Sequence, residues 1–214
     1  MGTRKILVGV DGGAESPREW GNLGDMRCWH NHYDLGDAPL EFRKPEDWGL
    51  EVMAELGGMS LDEAEYRFES DLCGRFGDLL GWIEGHRDYI GFRVYLYDHS
   101  GLSMSVNGGV YPFNDRWDAG CVGVIYTTRR RVLERYGRQR MSSKLRARVE
   151  SELVSEVEAY DAYLRGEVFY VMVVGEGGEE TDSCGGIYGQ RALGSFLADD
   201  SFKDCETVYL EEGA

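Results

Sequence analysis

Apolar residues recur every three or four positions in three parts of the chain, which is the spacing of an amphipathic helix. Residues 45–56 begin with a proline and two acids and stop at two glycines, so they predict one helix. Residues 60–83 open with the serine and glutamate of a capping box and predict a second helix, interrupted near Gly74 or Gly77. Ser142 is the predicted cap of the third and longest helix, which runs to Leu164.

Short β-branched runs lie between the helical stretches and predict strands at residues 4–10, 122–126, 168–174 and 207–210. Residues 92–97 and 102–106 alternate apolar and polar positions on either side of Asp98-His99-Ser100-Gly101, which predicts a β-hairpin. Two short helices are predicted, one capped by Thr127 or Thr128 and one near 191–197. The glycine-rich segments 14–43 and 175–189 are predicted to be loops.

These elements are mixed without a regular β-α-β alternation, which favours an α+β fold. The 214 residues contain no repeat, linker or break in composition. We therefore predict a single α+β domain over residues 1–214, with a mixed, mostly antiparallel sheet packed with two to four helices.

Net charge indicates the class of partner, and cysteine usage indicates the cellular compartment. The chain has 39 acidic and 23 basic residues and a net charge of -16, which disfavours binding to nucleic-acid backbones and membrane surfaces and favours a basic protein partner. No apolar run is long enough to span a membrane, and no secretory signal is recognisable. Five scattered cysteines without a CxxC pair favour reduced thiols and a cytoplasmic location.

The charge is unevenly distributed along the chain. Residues 129–148 carry nine basic side chains and one acid, Glu134, between two acidic flanks. Such a basic stretch can bind phosphate, or it can pack on the acidic surface of its own chain. The second interpretation is favoured, because charge runs are most often solvated faces.

One cluster of metal-ligand residue types occurs at close spacing. Cys28, His30 and His32 stand at alternate positions, and further zinc ligands would have to come from Asp98, His99 or Cys184. No second closely spaced ligand pair exists, so the sequence favours a buried cysteine with half-exposed histidines. We predict no bound metal and no cofactor.

A cysteine hydrolase is the enzymatic alternative. Cys184 lies in a flexible Asp-Ser-Cys-Gly-Gly stretch, His99 could act as its base, and Asp98 or Asp182 could orient the imidazole. No nucleophile signature of a known protease family accompanies these residues, and no GxGxxG or phosphate-loop pattern occurs. The five tryptophans are dispersed along the chain and are expected to lie in the core.

Five stretches resemble an uncharacterised family of proteins encoded by bacteriophages and other mobile elements. Residues 17–30 have the pattern P-R-x-W-x-N-L-G-x-M-x-C-x-H, and further family-like stretches are YLYDHSG, WDAGCVGVIY, YLRGEV and DSCGGIYG, in the same order along the chain. His32 departs from the family pattern. The resemblance implies a genomic setting rather than a reaction. It adds Cys28, His30, Trp117 and Asp118 as candidate binding residues.

The sequence thus supports two hypotheses of different classes. The favoured one is a phage-encoded accessory protein that binds and inhibits a host protein, such as a defence or nucleic-acid-handling enzyme, through an acidic surface. The alternative is a small enzyme, hydrolase-like or metal-dependent, whose site is formed by the loops that carry the family-like stretches.

Overall fold

The computed structural model describes residues 4–37 and 44–210 of the chain. Its helices are α1 (Pro45–Gly57), α2 (Leu61–Asp71), α3 (Phe76–Gly85), α4 (Arg129–Arg135), α5 (Ser143–Leu164) and α6 (Gln190–Leu197). Its strands are β1 (Lys5–Val10), β2 (Asp25–Cys28), β3 (Tyr89–Asp98), β4 (Leu102–Ser105), β5 (Ala119–Thr128), β6 (Val168–Val174), β7 (Glu180–Tyr188) and β8 (Glu206–Tyr209). Two short 3₁₀ helices span Pro17–Glu19 and Asp200–Phe202.

The predicted α+β class is confirmed, and the strands are divided between two four-stranded sheets. One sheet has the order β7-β6-β1-β8 and the other the order β2-β5-β3-β4. Pairing is antiparallel at β1–β6, β6–β7, β2–β5 and β3–β5, whereas β1 and β8 run parallel. The predicted hairpin is formed by β3 and β4.

The described residues fall into two compact units. The first takes residues from 1–20, 98–104 and 158–214, and the second takes residues from 21–97 and 105–157. The single domain expected over residues 1–214 stays a prediction. We describe each unit by itself.

The core of the first unit lies on one face of the β7-β6-β1-β8 sheet. Ile6 and Val8 alternate along β1, and Phe169 and Val171 alternate along β6, so that all four side chains are buried together. Leu193 of α6 and Ile187 of β7 complete this cluster.

The core of the second unit joins α1, α2 and α3 to β3 and β5. Trp48 of α1, Phe68 of α2 and Ile83 of α3 are buried in one cluster with Tyr89 of β3 and Tyr126 of β5. The Trp48 and Tyr126 rings meet nearly edge to face at 5.5 Å between centroids.

Local sequence signals explain the ends of several helices. The Ser60 hydroxyl accepts a hydrogen bond from the Glu63 N–H at the start of α2, and the Ser142 hydroxyl accepts one from the Leu145 N–H at the start of α5. The predicted interruption lies at Gly74, which has φ +64° and separates α2 from α3.

Three sequence predictions are wrong. Residues 180–188, predicted as loop, form strand β7, and residues 25–28 form strand β2 inside the segment 14–43 predicted as irregular. Residues 38–43 of that segment lie outside the described residues. Of the tryptophans expected in the core, Trp20 and Trp117 are 47% and 93% exposed.

Candidate functional site

The predicted residues Cys28 and His30 lie at the end of β2 and just after it. Cys28 is buried opposite Gly123 of β5, while His30 is half-buried and His32 is exposed. The His30 ring stacks on Tyr33 at 5.1 Å between centroids and meets His32 at 5.8 Å. Among residues 4–37 and 44–210, no group of three or more His, Cys, Asp or Glu is arranged to hold a metal ion.

The catalytic candidates lie in the first unit. Asp98 is the last residue of β3, His99 follows it in an exposed turn, and Asp182 and Cys184 are exposed on β7. The Cys184 thiol donates to the carbonyl of the next residue, Gly185, at 3.6 Å, rather than to an imidazole. The Asp182 carboxylate accepts from the N–H of the next residue, Ser183. These side-chain hydrogen bonds of Asp182 and Cys184 are therefore local to their own strand.

The carboxylate of Asp11, a residue that the sequence analysis did not single out, explains why two glycines follow Cys184. Its Oδ2 accepts a hydrogen bond from the Gly186 N–H at 3.0 Å. A Cβ at Gly185 would lie 3.0 Å from the same oxygen, and Gly186 has φ +66°. The glycines thus allow the close approach of a carboxylate. The Gly186 N–H that an oxyanion hole could have used is already donated to Asp11.

The binding candidates Trp117 and Asp118 lie just before β5 in the second unit. The Asp115 carboxylate accepts hydrogen bonds from the N–H groups of both residues, at 2.7 and 3.2 Å, and so fixes the turn. The Trp117 ring is left 93% exposed. An exposed aromatic ring on a hydrogen-bonded turn is suited to anchor a partner, and its role as a binding residue stays a prediction.

An acidic cleft between α1 and α2 is the site that sequence reasoning missed. It has a volume of about 570 Å³ and is lined by Lys44, Glu46, Asp47, Leu50, Glu65, Phe68 and Glu69. Leu50 and Phe68 supply its apolar surface, and both also pack on the core of the second unit. Within the described ranges, none of the four carboxylates makes an ion pair.

The acidic cleft belongs to a strongly acidic part of the chain. Residues 45–85, which contain α1, α2 and α3, have eleven acidic and two basic side chains. Glu46 and Asp47 stand in the first turn of α1, where the helix dipole favours a negative charge. Glu65 and Glu69 are one helical turn apart on α2. The cleft therefore presents negative charge on two sides of an apolar floor.

A second cavity, of about 380 Å³, lies where α1, β5 and α4 meet. It is lined by both signs of charge, and these side chains pair with each other. Arg130 Nη2 lies 2.9 Å from Glu55 Oε1, and Arg129 Nη1 lies 3.4 Å from Asp88 Oδ1. Because the charges of this cavity neutralise each other, it would attract a charged ligand more weakly than the acidic cleft.

Four of the nine basic residues in the stretch 129–148 follow the favoured interpretation and pack on acids of their own chain. Besides Arg129 and Arg130, Arg131 Nη2 donates to Asp25 Oδ1 at 2.9 Å. Arg146 Nε donates to Glu150 Oε1 at 3.0 Å, and its Nη2 donates to the carbonyl of Tyr89. These four arginines join α4 and α5 to the rest of the second unit.

Thiol reactivity provides a test of how these cysteines are placed. Under native conditions at neutral pH, iodoacetamide should modify Cys184 and Cys73 first, because both are exposed. Cys28 should react at least about tenfold more slowly, since it is 2% exposed. Burial raises the pKa of the Cys121 thiol, so less of it is thiolate at neutral pH and its rate should increase as the pH rises.

Peptide mass spectrometry after timed quenching gives each rate separately, and the same reaction in denaturant serves as the control. In denaturant the differences should disappear. If Cys28 reacted in the native protein as fast as Cys184, the placement of β2 against β5 would be contradicted.

Comparisons with known proteins assign no family or function to the chain. No family model, no curated protein and no solved structure matches the chain. Within the described ranges, no helix is long and apolar enough to cross a membrane. The candidate function therefore depends on the geometry of the site.

Proposed function

We propose that this protein is an accessory protein that binds a basic segment of a partner protein in the acidic cleft. The observation that carries the proposal is the set of four carboxylates without an ion pair among the described residues, placed around an apolar floor. Carboxylates that no cation neutralises attract a basic partner and raise the rate of association.

The shape and chemistry of the acidic cleft indicate the kind of segment that fits it. Leu50 and Phe68 can receive one apolar side chain, while Glu46 and Asp47 of α1 and the acids of α2 can pair with flanking lysines or arginines. A helix or an extended strand with an apolar residue between basic ones meets this description. A purely basic segment would leave the apolar floor unused.

The resemblance to phage-encoded proteins supplies the biological setting of the proposal. In that setting the partner is a protein of the bacterial host, and the bound accessory protein inhibits it. Defence enzymes and nucleic-acid-handling enzymes present basic surfaces to their anionic substrates, and an acidic surface can occupy such a site.

Charge reversal in the acidic cleft tests the proposal. The cleft variant is E46K/E65K/E69K, and the matched control is E176K/E179K/E180K, which reverses three exposed glutamates before and at the start of β7 in the first unit. Both variants change the net charge equally. Both should fold, because exposed charges contribute little to stability and reversing Glu46 in the first turn of α1 costs only about 1 kcal/mol.

Each tagged protein is incubated with host lysate at low and at high salt, and retained proteins are identified by mass spectrometry. The wild type and the control should retain the same basic protein at low salt, the cleft variant should not, and high salt should release it. With the purified partner, the cleft variant should associate more slowly than the control. Equal association of the two variants, or no retained protein at low salt, would contradict the proposal.

A further inference from the structure

Ion pairs divide the basic stretch 129–148 into two parts. Arg129, Arg130, Arg131 and Arg146 are directed to carboxylates of the second unit, as described above. The remaining five cations are exposed, and we call them the basic patch: Arg135, Arg138, Arg140, Lys144 and Arg148. Packing on acids of the same chain therefore accounts for only part of the basic stretch.

The basic patch keeps its charge available. In the described part of the chain, Arg135, Arg138, Arg140 and Lys144 make no ion pair. The Arg148 guanidinium lies 4.9 Å from the centroid of the Tyr136 ring. A guanidinium held over a ring can still donate hydrogen bonds from its edge.

The five cations lie close together along the chain, on either side of the turn between α4 and α5. Gly137, with φ +58°, ends α4, and the Arg138 N–H then donates to the carbonyl of Leu133. On α5, Lys144 and Arg148 are separated by one helical turn and share a face. The patch is thus formed by the last turn of α4, the connecting turn and the first turns of α5.

Three nearby acids offset part of the charge of the basic patch, which has five cations. Glu150 is paired with Arg146, whereas Glu152 accepts a hydrogen bond from the neutral Tyr136 hydroxyl and keeps its negative charge. Glu134 is exposed and is the one acid within the stretch 129–148. An excess of positive charge remains at this surface although the whole chain carries -16.

We infer that the basic patch binds the phosphate backbone of a nucleic acid. Four of its five cations are arginines, whose planar forks can donate two hydrogen bonds to one phosphate. At an ionic strength of about 0.1 M the Debye length is about 10 Å, so acids farther away than this are largely screened. The inference goes beyond the proposed function, because it requires neither the acidic cleft nor a basic partner.

A nucleic acid is favoured over an acidic polypeptide for a thermodynamic reason. A nucleic acid carries about one charge per 1.7 Å of duplex and releases condensed counterions when cations bind to it. A natural acidic segment carries its carboxylates among neutral residues, so its charge density is lower than that of a duplex and it gains less from this release. A protein of net charge -16 needs that additional gain to bind a polyanion, and such binding is expected in the micromolar range typical of non-specific contacts.

Fluorescence anisotropy with labelled oligonucleotides tests the inference. The probes are single-stranded DNA, duplex DNA and single-stranded RNA of one length, with polyglutamate of equal charge as competitor. The patch variant is R138E/R140E/K144E, and the matched control is R75E/R191E/K203E, which reverses three exposed cations outside the stretch 129–148. Circular dichroism confirms folding, and R138Q/R140Q/K144Q replaces the patch variant if the reversed one does not fold.

At low salt the wild type should bind at least one of the three oligonucleotides, and log Kd should change linearly with the logarithm of the salt concentration. The patch variant should bind at least about tenfold more weakly, whereas the control should stay within about threefold of the wild type. Which probe binds best distinguishes DNA from RNA.

Three outcomes would overturn the inference. The first is that no oligonucleotide is bound at low salt, and the second is an equal loss of affinity in the patch variant and the control. The third is that polyglutamate displaces the labelled oligonucleotide at the same concentration as unlabelled oligonucleotide does. That result would assign the basic patch to an acidic polypeptide instead.

Discussion

Replacing Leu153 with alanine is expected to reduce the free energy of unfolding by about 2–5 kcal/mol. Leu153 is fully buried in α5, and its Cδ2 lies so close to Gly24 that a Cβ there would come within 2.5 Å of it. The truncation removes apolar contacts and leaves a cavity that a helix packed on a sheet cannot easily fill. Urea unfolding should show a lower midpoint with an unchanged m value.

Two variants control this experiment. Ser151→Ala changes an exposed position of the same helix and should alter stability by less than about 0.5 kcal/mol. Leu153→Met keeps the volume and should cost less than about 1.5 kcal/mol. A loss below about 0.5 kcal/mol for Leu153→Ala would show that the predicted apolar stripe of α5 does not face the core.

Gly123→Ala is expected to be at least as damaging, with a loss of about 3 kcal/mol or more. A Cβ at Gly123 of β5 would lie 2.0 Å from the carbonyl oxygen of Arg27 and 2.8 Å from the Cα of Cys28. These are backbone atoms of the paired strand β2, so no side-chain rotation can relieve the overlap. β2 and β5 would have to separate, and Cys28 would become accessible to thiol reagents.

Gly120 of the same strand is the matched control. A Cβ at Gly120 would meet nothing within 4 Å, so Gly120→Ala should change stability by less than about 1 kcal/mol in either direction. Chemical unfolding of both variants and alkylation of Cys28 give the comparison. Equal stability of the two variants would contradict the close packing of β2 on β5.

The helices were largely predictable because their end signals are local. Ser60, Thr128 and Ser142 each accept a hydrogen bond from an N–H three residues later, and such a contact can be inferred from a few neighbouring residues. Val149, Leu153 and Val157 are buried as the apolar spacing of α5 indicates.

The missed strands lack such local signals. Residues 180–186 of β7 are all exposed, so no alternation of apolar and polar residues distinguishes this strand from a loop. β2 has only four residues, and its pairing partner β5 lies far along the chain. The division into two sheets also depends on long-range pairing, as between β1 and β8, which no local window of sequence contains.

The acidic cleft could be predicted in its parts but not as a site. Glu46 and Asp47 were recognised as acids that favour a helix start, and Glu65 and Glu69 have the spacing of neighbours on one helix face. That these two pairs line one cavity follows from the packing of α1 against α2, which the sequence does not indicate. Trp117 shows the opposite case, since a large apolar residue was expected in the core and lies 93% exposed beside the Asp115 turn.

The parallel pairing of β1 with β8 has a consequence for the order of events on the ribosome. β1 is synthesised before residues 21–157, whereas β6, its antiparallel neighbour, and β8 are synthesised after them. Residues 21–157 contain all of the second unit and can fold while β1 is still without its neighbours. Until β6 has been made, Ile6 and Val8 have no sheet in which to be buried, so nascent chains that stop early should be clients of chaperones and substrates of proteases.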